Sequence, residues 1–268
     1  MDSDDQRYAD AMTAIRARLT KHKVANMELR REAPFIVVAD GGPPALERGA
    51  STVRWAADML EADFFSRRPD KVLPVFLFQG AESYTRGVAA LTGDDPGTPY
   101  GFYSRTHVGL FMNIATGGGT LVHEIVHPYV EADFADAPAW LNEGLGSLFE
   151  QSAERNGHIV GLTNWRLAGL QQAIAKGTVP TFEKLTRLSD VEFYGDDSGV
   201  NYAAARYLLY YLQERGKLRD LYRDFRAAAA DDPSGYQTLR ETLATLDEHD
   251  MTAFEAKWRR YVGALSFP

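Results

Sequence analysis

The pentapeptide His123-Glu124-Ile125-Val126-His127 contains the side chains best suited to chemistry in this chain. Residues four apart lie on the same face of a helix, so both imidazoles can reach one metal ion. The carboxylate of Glu124 then lies beside the first imidazole, where it can hold a water molecule. A zinc ion in this setting lowers the pKa of water to roughly 7. The spacing therefore predicts a hydrolytic zinc centre with Glu124 as the general base.

The sequence around the pentapeptide favours a helix over residues 120–133. The run Gly117-Gly118-Gly119 indicates a turn just before it, and no Lys-Ser or Lys-Thr pair follows to suggest phosphate binding. Apolar side chains then recur at helical spacing. They are Leu121, Val122, Ile125, Val126 and Tyr129.

A catalytic zinc site needs a third protein ligand and one position left for water. The segment Trp140-Leu141-Asn142-Glu143-Gly144 follows Asp136-Ala137-Pro138, which has the chemistry of a turn and a helix start. A second helix is therefore predicted over residues 138–152. We expect Glu143 to project from it as the third ligand.

Together the two motifs resemble the gluzincin metallopeptidases, the thermolysin-like and peptidase-MA-like group. The resemblance is close over residues 120–150 and weaker over 201–216. In that group, His-Glu-x-x-His is followed by a helix in which Trp-Leu-x-Glu-Gly carries the third ligand. The resemblance implies that His123, His127 and Glu143 hold one Zn²⁺ and that Glu124 is the general base. It also implies an α+β fold of the thermolysin-like zincin type.

Two departures from the family pattern matter for the site. Thermolysin carries an Asp four residues after its glutamate ligand, where this chain has Ser147. The residue that orients a ligand histidine is therefore open between Ser147, Glu150 and Asp133. The aminopeptidase branch has a Gly-x-Met-Glu-Asn strand whose acid binds the substrate amine. The corresponding residues 109–113 contain no acid, which disfavours aminopeptidase action.

A tyrosine or histidine beyond the third ligand donates a hydrogen bond to the oxyanion in gluzincins. Tyr202 opens a predicted helix over residues 201–215 that resembles the tyrosine-containing helix of the peptidase-MA-like group. The resemblance therefore implies Tyr202 as the oxyanion donor, with Tyr194 as the substitute. Core packing is the alternative for Tyr202, as we expect for the tyrosines later in the same helix.

The composition of the 268 residues restricts the class of protein. Hydrophobic residues make up 45% and charged residues 25%, as in an ordinary globular protein, and a net charge of -8 argues against a nucleic-acid partner. The absence of cysteine excludes disulfides and thiol chemistry. We predict no membrane span and, from residues 1–5, no signal peptide. An exported protein with its leader removed would look the same, so the localisation stays open.

The pattern along the chain predicts an α+β protein with the metal helix at the junction of its halves. Residues 1–116 are predicted as an N-terminal α/β subdomain with a small sheet and an edge strand, and residues 117–268 as a helical metal-binding and C-terminal subdomain of one compact catalytic unit. The predicted strands are 35–39, 72–78, 101–105 and 107–114, with a short extended piece at 156–162. The remaining predicted helices are 5–31, 50–65, 84–91, 165–175, 218–230, 236–246 and 252–265. Pro74 is expected at an edge strand or at a strand's start.

The leading hypothesis is a zinc-dependent metallopeptidase that acts on a peptide or protein substrate. The strand at 108–114 is expected to pair with an extended peptide, which favours internal cleavage over exopeptidase action. A zinc-bound binding or scaffold protein without turnover, and hydrolysis of a non-peptide amide, stay open as alternatives. Asn164-Trp165-Arg166 either lines a substrate pocket or forms a helix N-cap with a packed Trp, and the second is favoured. The other histidines are expected to be structural or on the surface, namely His22, His107, His158 and His249.

Overall fold

The computed structural model describes residues 3–268. Met1 and Asp2, on which the signal-peptide argument partly rests, lie outside the described residues. The chain forms two units that divide between Asp133 and Phe134. The sequence prediction placed its boundary earlier, between residues 116 and 117. By the structural division, the metal helix belongs to the first unit and the helix of Glu143 to the second.

The first unit combines helices with one small sheet. Its helices are α1 (Ser3–Lys21), α2 (Pro43–Asp63), α3 (Ala81–Thr92) and α4 (Gly118–Asp133), and a 3-10 turn, Ile114–Thr116, precedes α4. Its strands are β1 (Glu28–Glu32), β2 (Phe35–Ala39), β3 (Leu73–Phe78), β4 (Gly101–Ser104) and β5 (Gly109–Asn113).

The sheet of the first unit has the order β1-β2-β3-β5-β4. The three inner strands are parallel to one another and are buried along their whole length, as expected for continuous apolar runs. The outer strands β1 and β4 pair antiparallel with β2 and β5. Pro74 is the second residue of β3, at the strand's start as predicted, although β3 itself is central. The expectation that the 108–114 strand is free to pair with a peptide is wrong, because β5 has β3 on one side and β4 on the other.

The predicted first helix over residues 5–31 is wrong in its last part. The helix α1 ends at Lys21, and the chain then turns through Lys23 and Asn26, which both have positive φ angles. Residues 28–32 form β1 and complete the hydrogen bonds of β2 at one side of the sheet. Only residues 33–34 separate β1 from β2, and the prediction missed this hairpin because it extended the helix through residues 28–32.

Helices cover both faces of the sheet. On one face, α1 and α3 pack with the inner strands in a cluster that includes Leu19, Ile36, Phe76 and Tyr84. On the other face, α2 contacts β2 and also α4. The metal helix is therefore held against the strands β4 and β5 and against α2.

The second unit is mainly helical, as predicted for this half. Its helices are α5 (Ala139–Phe149), α6 (Arg166–Lys176), α7 (Phe182–Thr186), α8 (Asp190–Phe193), α9 (Ser198–Glu214), α10 (Leu218–Ala228), α11 (Tyr236–Ala244) and α12 (Met251–Ala264). The strands β6 (Ser152–Arg155) and β7 (His158–Gly161) form an antiparallel hairpin. The two units together give the α+β class.

Two short helices of the second unit were missed by the sequence prediction. The helix α8 matters most, since the residue that follows it is Tyr194. Its signal was present in the sequence as a capping box. The Ser189 side chain accepts a hydrogen bond from the backbone of Glu192, and the Glu192 side chain accepts one from the backbone of Ser189.

Within residues 3–268, the structure contains no helix whose length and apolar character would suit a membrane crossing.

The packing of α3 on the sheet can be tested at Gly87. A Cβ atom at this position would lie 2.2 Å from Cε1 of the buried Phe78 ring. We expect Gly87→Ala to lower the free energy of unfolding by about 1–3 kcal/mol, because the ring must leave its position. The control is Gly169→Ala in α6, where no atom would lie within 4 Å, and which should raise stability by up to about 1 kcal/mol. Urea unfolding followed by circular dichroism measures both, and a stabilising Gly87→Ala would contradict the packing.

Candidate metal centre

The helix predicted over residues 120–133 is confirmed by α4. The chain enters it through Gly117, whose φ of 111° lies in the region that favours glycine. The predicted apolar stripe from Leu121 to Tyr129 is buried. Burial of this stripe fixes the rotation of the helix, and thereby the direction of its two histidines.

The two histidines of α4 lie side by side. Their ring centroids are 4.9 Å apart, and the ring planes make an angle of 72°. His123 is 6% exposed, and the side chain of His127 is 12% exposed. Two imidazoles at this separation could both bind one metal ion.

The Glu124 carboxylate is held beside these imidazoles by the edge strand of the first unit. Its Oε2 accepts a hydrogen bond from the backbone N–H of Tyr103 in β4 at 2.9 Å. The same oxygen lies 3.9 Å from Nε2 of His127. Pro128 follows the second histidine inside α4 and has no N–H to donate to the Glu124 carbonyl. The sequence analysis did not identify Tyr103, because a backbone donor leaves no signal in residue type.

In the second unit, Glu143 projects from α5 and is 6% exposed. The helix begins after Pro138, as predicted, and ends at Phe149 rather than at residue 152. Gly144 lets α5 approach α9 closely, since a Cβ atom there would lie 2.9 Å from Cδ1 of Leu209. Tight packing on α9 thus fixes the helix that carries the carboxylate.

Arg206 of α9 anchors the end of α5. Its side chain is fully buried, and its Nε donates to the Ser147 carbonyl at 2.9 Å while Nη2 donates to the carbonyls of Leu148 and Leu162. The last carbonyls of a helix lack partners within the helix, and a cation at this end is favourable. Burial lowers the pKa of Arg206 to about 10, so the guanidinium stays charged at neutral pH. The sequence signal, which we missed, is an arginine in the apolar run of residues 203–209.

The hydroxyl that reaches the Glu143 carboxylate belongs to Tyr194. It donates a hydrogen bond to Oε1 at 2.6 Å, from the residue just after α8. Tyr202 lies on α9, with its ring 6.2 Å from that of Tyr194 and 5.3 Å from that of Phe193. The structure thus places Tyr194, the substitute candidate for the oxyanion donor, at Glu143. Tyr202, the first candidate, lies next to Tyr194.

The three candidates for orienting a ligand histidine each have contacts within their own unit. The Ser147 hydroxyl donates to the Glu143 carbonyl at 2.5 Å. Glu150 binds the guanidinium of Arg166. Asp133 accepts hydrogen bonds from the backbone N–H and the hydroxyl of Ser66. The choice among the three stays a prediction.

His123, His127 and Glu143 form a group that could hold a metal ion. One ligand atom from each lies within 4.8 Å of the other two. Ligand atoms about 2.1 Å from a tetrahedral zinc ion lie about 3.4 Å from one another, so the side chains would have to shift by about 1 Å for all three to bind one ion. No other group of three His, Asp or Glu side chains with ligand atoms so close is found in residues 3–268.

Comparison with known proteins leaves the activity open. Residues 114–234 match the model of a family described as a protein of unknown function (DUF1570). The match covers less than half of the chain, but it contains α4, α5 and the helix of Tyr202. No curated protein matches the chain significantly.

The candidate centre makes a prediction about metal content. We expect the purified protein to bind one divalent ion per chain, and His123→Ala to bind little or none, because two ligands hold an ion much more weakly than three. The exposed His249 provides the matched control, and His249→Ala should keep its ion. Elemental analysis after dialysis against a weak chelator measures both variants. Equal metal content in the two variants would remove His123 from the ligand set.

Proposed function

We propose that this protein is a zinc-dependent metallopeptidase. The observation that supports this most directly is the group of His123, His127 and Glu143, with the Glu124 carboxylate next to the first histidine on α4. Two imidazoles and one carboxylate are a donor set of catalytic zinc sites, whereas calcium and magnesium prefer oxygen ligands alone. One Zn²⁺ is therefore the ion we propose.

In peptide hydrolysis, the bound ion, Glu124 and the backbone of Tyr103 would have separate roles. Bound zinc supplies a Lewis acid that polarises the scissile carbonyl and favours ionisation of water. Glu124 accepts a proton from the attacking water and returns it to the leaving amine, so that one water is consumed for each bond cleaved. The backbone N–H of Tyr103, through its bond to Oε2, fixes the carboxylate in place for both transfers.

We infer that an extended peptide pairs with β4, which replaces β5 in this role. The strand β4 pairs with β5 on one side only. Neighbouring residues of a strand direct their backbone groups to opposite sides, and the bond from Tyr103 to Glu124 shows that Tyr103 faces away from β5. Its carbonyl is thus on the side where a peptide could add. This mode favours internal cleavage and makes a peptide or protein the substrate.

The resemblance to gluzincins supports the finer classification. The structure has the two helices that carry the family's motifs, and a sheet whose antiparallel edge strand contacts the metal helix. We therefore infer a thermolysin-like zincin fold within the observed α+β class.

The general base can be tested without losing the metal. We expect Glu124→Gln to keep one zinc ion per chain, because Glu124 is not a ligand, and to lower peptide turnover by about 10²–10⁴-fold. Zinc content and digestion of a peptide library are measured side by side. If wild type binds zinc but cleaves no peptide, the result favours the alternative of a zinc-bound binding or scaffold protein without turnover. A variant that cleaves as fast as wild type would show that Glu124 is not the base.

The oxyanion donor can be assigned by comparing two tyrosines. We propose that the Tyr194 hydroxyl, which already lies at the candidate ligand, exchanges its hydrogen bond to Glu143 for one to the oxyanion, and that Tyr202 supports it. Tyr194→Phe should lower kcat by about 10²–10³-fold with little change in KM, and Tyr202→Phe should lower it less. The opposite ranking would return the role to Tyr202, as the sequence analysis proposed. Steady-state kinetics on one cleaved peptide decides between them.

A further inference from the structure

The start of α6 presents an aromatic side chain to solvent. Sequence analysis favoured a helix N-cap with a packed Trp in Asn164-Trp165-Arg166, and the packed Trp is wrong, because Trp165 is 52% exposed. The start of the helix is stabilised by Asn164, whose Oδ1 accepts a hydrogen bond from the backbone N–H of Arg166 at 3.1 Å. About half of the Trp165 surface thus faces solvent, which is unusual for so large an apolar ring.

The guanidinium of Arg166 is fixed by an ion pair with Glu150. Its Nε and Nη2 donate to the two carboxylate oxygens at 2.9 and 2.7 Å. Glu150 is buried and is also bound by the Asn164 amide. Within residues 3–268, all hydrogen bonds of this guanidinium go to Glu150. The two N–H groups of Nη1 make no hydrogen bond to these residues.

A continuous series of contacts connects Arg166 to the candidate ligand Glu143. The guanidinium carbon lies 5.2 Å from the ring centroid of Tyr202 and 5.9 Å from that of Trp165. Tyr202 contacts Tyr194, whose hydroxyl binds Glu143. We call Trp165, Arg166, Tyr202 and Tyr194 the aromatic strip.

The charges of the aromatic strip select the kind of group it can bind. Burial alone would lower the pKa of Arg166, but the bond to Glu150 outweighs it and raises the pKa, so the guanidinium is charged. The bidentate pair with Glu150 is neutral as a whole, and Glu143 is a further negative charge nearby. A carboxylate would find no unpaired cation here, whereas a neutral carbonyl needs only the N–H donors of Nη1.

We propose that Arg166 binds a main-chain carbonyl of an extended peptide, whose side chain rests on the exposed rings of Trp165 and Tyr194. The proposal rests on the metallopeptidase function, and it makes the substrate an internal stretch of peptide with a bulky side chain rather than a chain end. Stacking on aromatic rings and a fixed guanidinium donor would together orient the peptide next to Glu143.

The experiment measures binding without turnover. The probe is an N-acetylated, C-amidated hexapeptide with Phe-Leu at its centre, titrated by calorimetry into the zinc-loaded Glu124→Gln protein. Adding Arg166→Met should weaken Kd by about 10- to 100-fold, the usual effect of losing a hydrogen bond from a charged donor. The control is Arg223→Met, at an exposed arginine of α10, which should leave Kd unchanged.

Arg166→Met leaves the buried Glu150 without its cation, which could disturb the fold and weaken binding indirectly. A second variant controls for this effect. Glu150→Gln/Arg166→Gln replaces the ion pair with two neutral amides, keeps the packing, and should also weaken Kd at least several-fold. Trp165→Ala should weaken binding of the same probe, whereas a probe with alanines at its centre should not distinguish Trp165→Ala from its parent.

The outcomes separate this proposal from the metallopeptidase function. Unchanged Kd in both arginine variants, or no saturable binding to the parent, would overturn the proposal. The same hexapeptide with a free C-terminal carboxylate is the comparison probe. If Arg166→Met weakened its Kd more than that of the amidated probe, the proposal would also be overturned, because Arg166 would then recognise a chain end. If wild type cleaves no peptide but binding still depends on Arg166, the strip is supported and the hydrolytic function alone fails.

Discussion

Burial of ionisable side chains is the constraint on which the candidate centre depends. His123, Glu124 and Glu143 are almost fully removed from water. A buried carboxylate is costly unless a cation or strong donors compensate for the lost hydration. The backbone N–H of Tyr103 and the hydroxyl of Tyr194 each donate one hydrogen bond to these carboxylates, and a bound divalent ion would add a positive charge beside them. Each helix is held by packing within its own unit, α4 against β4, β5 and α2, and α5 against α9.

The parts of the site that depend on local spacing could be predicted from the sequence. Residues four apart lie on the same face of a helix, so the spacing of His123 and His127 was enough to predict that they share a face. Pro138 indicated the start of the helix that carries Glu143, and the apolar runs predicted the inner strands of the sheet. In each case the physical cause lies within a few residues of its effect.

The parts that depend on contacts between distant segments could not be predicted. The central place of β5 follows from its hydrogen bonds to β3, a strand much earlier in the chain. Tyr194 reaches Glu143 because the short helix α8 ends where it does, and the bond from Arg206 to α5 joins residues almost sixty positions apart. Residue type alone gives no indication of such partners. The exposed position of Trp165 was misjudged for the same reason.

The attachment of α5 to α9 has a consequence for how the second unit opens. At Gly144 the two helices are in close contact, and Arg206 binds carbonyls at the end of α5 from within the core. Pulling them apart would strand a charged guanidinium in an apolar interior, so neither helix can fray independently of the other. We therefore expect α5 and α9 to open together as one cooperative element. Glu143 is thereby carried by a tightly packed part of the second unit.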